Sequence, residues 1–309
     1  MSSTRAFRNV ARLATTTSSL MFALIVVGSV VRTTGSGLSC PDWPLCHGKL
    51  IPPMQFNIFM EWVHRLIALL VGVLLFATSA TIAMRTETRA RLGGLALLAV
   101  VLYFTQALLG ALTVWKLLDP SVVSGHLAVG LLLFATLTTT AVLAHFQAAP
   151  PARDDAAPAG LLGLLSVATL AVWLQAVLGG MVSTNHASLA CPDWPKCNGE
   201  WFPPLVGLVG LQVAHRIGAY LLTILLFFAA FRASRAGDPV VRWVGHLVPR
   251  LILVQVGIGV ANVLMGVPVW VSALHLGNAA AILALLLIAT LRVAATSVSR
   301  PDLVEAGAL

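Results

Sequence analysis

Eight times this chain runs apolar for long enough to cross a lipid bilayer, which takes about 20 residues per helix. The stretches fall near 13–33, 58–83, 93–117, 121–146, 161–184, 206–231, 244–266 and 270–293. Lipid gives the backbone nothing to hydrogen-bond with, so spans this long must pair internally and read as helices rather than strands. Charged residues make up only 10% of the chain, against roughly a quarter in a soluble domain. An ordinary water-soluble fold is therefore excluded.

The net charge of +8 comes from arginines gathered at one set of helix ends. Arg5, Arg8 and Arg12 precede the first stretch; Arg85, Arg89 and Arg91 separate the second from the third; Arg153 lies in the mid-chain linker. Arg232, Arg235, Arg242 and Arg250 run from the end of the sixth into the start of the seventh, and Arg292 and Arg300 lie at and beyond the end of the eighth. The opposite ends carry only Arg32, Lys49, Lys116 and Lys196. This is the positive-inside asymmetry, which predicts cytoplasmic termini. It makes the basic balance a topology signal, so nucleic acid is not an expected partner. The first stretch lacks a small-residue cleavage site and is read as a retained helix.

The chain also repeats itself. Cys40-Pro-Asp-Trp-Pro-Leu-Cys46 returns as Cys191-Pro-Asp-Trp-Pro-Lys-Cys197, and His64-Arg65 returns as His215-Arg216, both 151 residues later. His126 is matched by His275, 149 residues later. The expected fold is thus all-α and integral to the membrane: eight helices as two tandem four-helix bundles. The halves are residues 1–147 and 161–309, joined by a Pro- and Ala-rich cytoplasmic linker over 148–160. Repeats with an even number of spans share one orientation, so their pseudo-twofold axis runs along the membrane normal.

That topology places both cysteine loops on the extracytoplasmic side, where disulfides persist. The short spacer and the duplication favour the local pairs Cys40–Cys46 and Cys191–Cys197. Closing so small a ring contributes roughly 2–2.5 kcal/mol in the chain-entropy model. Three roles stay open for the loops: a structural clip, a redox-active pair, or a metal site using His47. The last is weakened by Asn198, which stands where a second His47 would be.

Of the eight histidines, four sit inside predicted spans at similar depth: His64, His126, His215 and His275. An imidazole in hydrocarbon is costly without a partner. Two per half, on different helices and with no thiolate or acid set around them, suit the axial positions of a haem iron better than zinc. Gly110, Gly125, Gly130, Gly259 and Gly277 leave room for a flat macrocycle. Arg65 and Arg216, next to the ligand candidates, are candidates for its propionate carboxylates. Glu61 lies one turn from His64 on the same helix face, and its counterpart in the second half is Gln212. An acid present in one copy only points to chemistry in the first half and an electron-relay or structural haem in the second.

Together the duplicated Cys-Pro-Asp-Trp-Pro-x-Cys loop, the Glu61-x-x-His64-Arg65 run and the eight-helix plan resemble the bacterial haem A synthase family over nearly the whole chain. The resemblance implies a membrane oxidoreductase that oxidises the C8 methyl of haem O to a formyl group by successive hydroxylations, giving haem A for terminal oxidases. It further implies that His64 and His126 hold the substrate haem O, that Glu61 assists its oxidation, and that His215 and His275 ligate a haem b cofactor. Expected partners are haem O, membrane lipid, an electron acceptor, the farnesyltransferase that makes haem O, and a second copy of the chain. Two other readings remain: a di-haem b-type electron carrier and a quinone-linked thiol oxidoreductase.

Overall fold

The computed structural model describes residues 3–152 and 157–297; Arg153 and Arg300, counted above among the inner-end cations, and residues 154–156 of the linker lie outside them. Among the described residues are eight helices long and apolar enough to cross a membrane. They are α1 (Ser3–Thr33), α2 (Phe56–Ala83), α3 (Thr86–Trp115), α4 (Pro120–Ala148), α5 (Leu161–Thr184), α6 (Gly207–Ala233), α7 (Pro239–Leu264) and α8 (Val269–Ser297).

Three helices begin earlier than hydropathy suggests: α1 by about ten residues, α3 by seven and α7 by five. Hydropathy marks where a segment leaves hydrocarbon, whereas helix ends are set by caps and by Pro and Gly. The helix simply continues through Arg5, Arg8 and Arg12 in α1, Arg89 and Arg91 in α3, and Arg242 in α7. For α7 the true start is written in the chain: Asp238 caps it by accepting from the N–H groups of Val240 and Val241, with Pro239 at the first helical position. Asp119 and Pro120 open α4 in the same way.

Packing sorts the helices into two layers. α1, α4, α5 and α8 contact one another across the middle, through the α1–α4, α1–α8, α4–α5, α4–α8 and α5–α8 pairs. α2 and α3 lie outside α1 and α4, and α6 and α7 lie outside α5 and α8. The hydroxyls on this inner layer are satisfied locally: those of Thr136, Thr138, Thr139 and Thr140 on α4 each donate to a carbonyl one turn back. Some also bridge helices, as Ser18 to Thr138 at 2.8 Å between α1 and α4. Close approach of α5 to α4 requires Gly180, where a methyl group would collide with Leu127.

Candidate functional site

The loop joining α1 to α2 and the loop joining α5 to α6 are built alike. Cys40 is bonded to Cys46, and Cys191 to Cys197. The aspartate inside each motif folds the chain back: Asp42 accepts from the backbone N–H of His47 at 2.6 Å and of Gly48 at 2.7 Å, and Asp193 from those of Asn198 and Gly199. The Gly48 N–H, helped by that of His47, holds the Asp42 carboxyl below the usual carboxylate range, and Gly199 and Asn198 do the same for Asp193. The glycines are required there, at φ of 67° and 80°. The contrast between His47 and Asn198 turns out to be cosmetic. His47 Nε2 meets the Ser39 carbonyl at 2.9 Å, and the Asn198 amide donates to the Ala190 carbonyl at 3.0 Å, so both brace the residue before the first cysteine.

Arg65 and Arg216 clamp these loops to the helices. Arg65 donates to the carbonyls of Asp42, Leu45 and Cys40 and to Glu61 Oε1. Arg216 donates to the carbonyls of Lys196, Cys191 and Asp193. A guanidinium has five N–H donors, so these bonds leave Arg65 one and Arg216 two. Both side chains still line the central cavity.

That cavity has a volume of about 1090 Å³, and His64, His126, His215 and His275 all stand on its wall. A single small-molecule site is roughly 300–1,000 Å³, so the space is at the large end of what such a site needs. Each histidine faces a glycine on the preceding helix. A methyl group on Gly28 would lie 3.2 Å from the His64 ring, one on Gly110 3.3 Å from His126, one on Gly179 2.9 Å from His215, and one on Gly259 3.0 Å from His275. Bare backbone at these four points lets the imidazole edge lie flat against the neighbouring helix.

Three of the four glycines follow a glutamine by one turn: Gln106 on α3, Gln175 on α5 and Gln255 on α7. Gln175 Nε2 meets His215 Nδ1 at 3.0 Å and donates to its carbonyl at 2.8 Å. Gln255 contacts the His275 ring at 3.3 Å and is itself held by the Asn278 amide at 2.8 Å. In the first half these supports thin out. Leu24 stands where Gln175 would be and Val129 where Asn278 would be, and among the described residues His64 Nδ1, His126 Nδ1 and Gln106 Oε1 are buried without a hydrogen-bond partner. The Gln-x-x-x-Gly pattern is legible in the chain, and the exception at Leu24 gains meaning only beside it.

Glu61 is almost fully buried, 4% exposed, at the junction of α2, the loop and the cavity wall. Its Oε2 accepts from the Cys40 N–H at 2.8 Å and its Oε1 from Arg65 at 2.7 Å. Gln212, equally buried, donates to the Ser188 carbonyl at 3.2 Å and leaves Oε1 unpartnered. His145 and His246 lie away from the cavity, while His186 reaches its rim from the α5–α6 loop. Among the described residues no three His, Cys, Asp or Glu side chains converge as a zinc ion requires.

Eight membrane-length helices around one large cavity with four histidines on its wall define a multi-pass membrane protein with a histidine-lined chamber. The chain belongs to the COX15-CtaA family, described as Cytochrome oxidase assembly protein, which it matches over residues 11–58 and 53–287. Among its relatives is a protein of Shewanella oneidensis named Heme A synthase, 29% identical over 310 residues, covering 85% of this chain and 91% of the relative. A Heme A synthase of Symbiobacterium thermophilum is 33% identical over 231 residues, covering 72% and 75%. One of Halalkalibacterium halodurans is 29% identical, covering 84% and 89%.

Proposed function

We propose that this chain is a haem A synthase, a membrane oxidoreductase that converts the C8 methyl of haem O to a formyl group by successive hydroxylations and loss of water. The observation that carries the reading is the set of four cavity-wall histidines with a buried carboxylate beside only one of them. The residues fit a haem on chemical grounds: imidazoles in pairs, glycines that free their ring edges, an apolar chamber of sufficient size, and buried ring nitrogens whose isolation costs about 1–3 kcal/mol each.

In this proposal residues 1–147 hold haem O through His64 and His126, residues 161–309 hold haem b through His215 and His275, and 148–160 is a cytoplasmic linker. The halves are related by a pseudo-twofold axis along the membrane normal, with termini cytoplasmic and cysteine loops extracytoplasmic. The iron and porphyrin supply the redox chemistry when bound. The protein's part is orientation and charge. The four histidines with their glycines fix where the macrocycles lie. Glu61, held by the Cys40 N–H and Arg65, presents an oriented negative charge where positive character develops at the oxidised methyl carbon. Arg65 and Arg216 sit on the propionate side and anchor the loops that cover it. Each hydroxylation removes an electron pair from the substrate, so an electron acceptor is a required partner; the haem O-producing farnesyltransferase and a second copy of the chain are further candidate partners. The clamped loops support a structural role for the disulfides over thiol exchange.

The test is acid-acetone extraction and chromatography of haems from cells expressing the chain beside a haem O source. Haem A should accumulate with the wild-type chain and not with Glu61→Gln. Haem O left unconverted by the wild type would overturn the proposal.

A further inference from the structure

Among the described residues Arg32 is the one helix-borne arginine on the cavity wall that the loops do not engage, Arg65 and Arg216 being tied to loop carbonyls; the loop residue Lys49 also reaches that wall. It lies at the last turn of α1, half-buried, lining the same cavity as the histidines. Its hydrogen bond runs from Nη2 to the backbone carbonyl of Ser183 on α5, and among the described residues it has no ion-pair partner. Ser183 is its own repeat counterpart, 151 residues on. The two positions therefore face each other where the two halves of the chain meet.

Position along α1 says which site Arg32 serves. Gly28, whose face meets the His64 ring, lies four residues earlier, and residues four apart on a helix are stacked neighbours. Arg32 thus stands one turn toward the cysteine loop from the point where α1 touches His64. The equivalent positions beyond Gly110, Gly179 and Gly259 are Val114, Ser183 and Val263, none of them charged. A cation half out of water with no counter-charge is expensive unless an anion arrives to meet it. Arg65, with one donor left after its loop bonds, is poorly placed to be the sole partner of a carboxylate. Arg32 keeps four donors free, enough for a bidentate pair.

We infer that Arg32 is the carboxylate anchor of the first-half site, pairing with a propionate of the substrate macrocycle. The inference rests on the haem reading of the cavity and extends it to a residue with no repeat signature. It predicts that the first half selects for a free carboxylate and that the selection resides in one side chain.

The test compares haem O with its dimethyl ester, titrated into the purified full-length protein with its second-half haem in place and read by the change in Soret absorbance. The wild type should bind the free acid at least tenfold more tightly than the ester. Arg32→Ser, the residue the second half has, should lower acid affinity about tenfold and leave ester affinity unchanged, which also shows that the variant is folded. Arg32→Lys should restore part of the preference, and Lys116→Ala, which alters an exposed cation off the cavity wall, should keep all of it. Undiminished preference in Arg32→Ser, or equal weakening of acid and ester, would overturn the inference. Acid binding that survives His64→Ala would instead strike the haem reading of the first half, and the inference with it.

Discussion

The first and second halves of this chain share a frame and differ in what that frame points at the cavity. Both have the bonded cysteine loop, the folding aspartate, the arginine clamp and a glycine against each histidine. The second half surrounds its histidines with amides, Gln175 on His215 and Gln255 with Asn278 on His275. The first half replaces two of these with Leu24 and Val129 and adds charge, Glu61 and Arg32, where the second has Gln212 and Ser183. Braced histidines with no acid beside them suit the resident group proposed for the second half. Histidines with unpartnered Nδ1 atoms, beside a carboxylate and a guanidinium, suit the guest proposed for the first half, one that is bound, altered and released.

Four experiments break or sharpen that contrast. The largest effect belongs to Glu61→Gln, which should lower haem A yield roughly 10²–10³-fold while haem binding persists. The reciprocal Gln212→Glu should change yield little, both read by haem chromatography. Next, Gln175→Leu makes the second half resemble the first and should weaken its haem about 10–100-fold, as loss of a partner to a metal-ligating histidine commonly does; haem transfer to an apoprotein acceptor measures it. Third, each disulfide contributes roughly 2–2.5 kcal/mol through its ring, so paired Cys→Ser changes should lower thermal stability about equally in either loop. Only the Cys40/Cys46 pair should also depress activity, because Glu61 accepts the Cys40 N–H.

The smallest effect is one the halves should share. Asp42 and Asp193 both titrate below the usual carboxylate range because folded backbone N–H groups hold the charged form. A lowered folded value means their support is complete above the ordinary aspartate pKa and is lost as pH falls through the depressed one. Hydrogen exchange at the amides of Gly48 and Gly199 should therefore quicken together, and only once the pH falls below the ordinary aspartate pKa.

Most of the frame could be read from the chain, because span length, charge asymmetry and a duplicated motif are sequence properties. The histidines, the acid and the cysteine pairs stood out for the same reason: they repeat, or they break a repeat at one position. What stayed hidden was contact between helices. That Gly28 faces His64, that Asn198 does the work of His47, and that Arg65 spends its donors on loop carbonyls depend on how segments lie against each other. Arg32 was visible only as a charge at the wrong end of a helix, and its meaning came from what lies four residues before it.

The hydrogen bond from the Cys40 N–H to Glu61 also bears on how a guest gets in. The loop over the first-half chamber is tied to α2 by Arg65 and to the acid itself by that bond, so lifting it would disorganise the carboxylate proposed to assist the reaction. A cover fastened to the machinery beneath it makes a poor door. A greasy molecule that spends its life in the bilayer has no need of one, since it can slip sideways between helices and leave the roof in place.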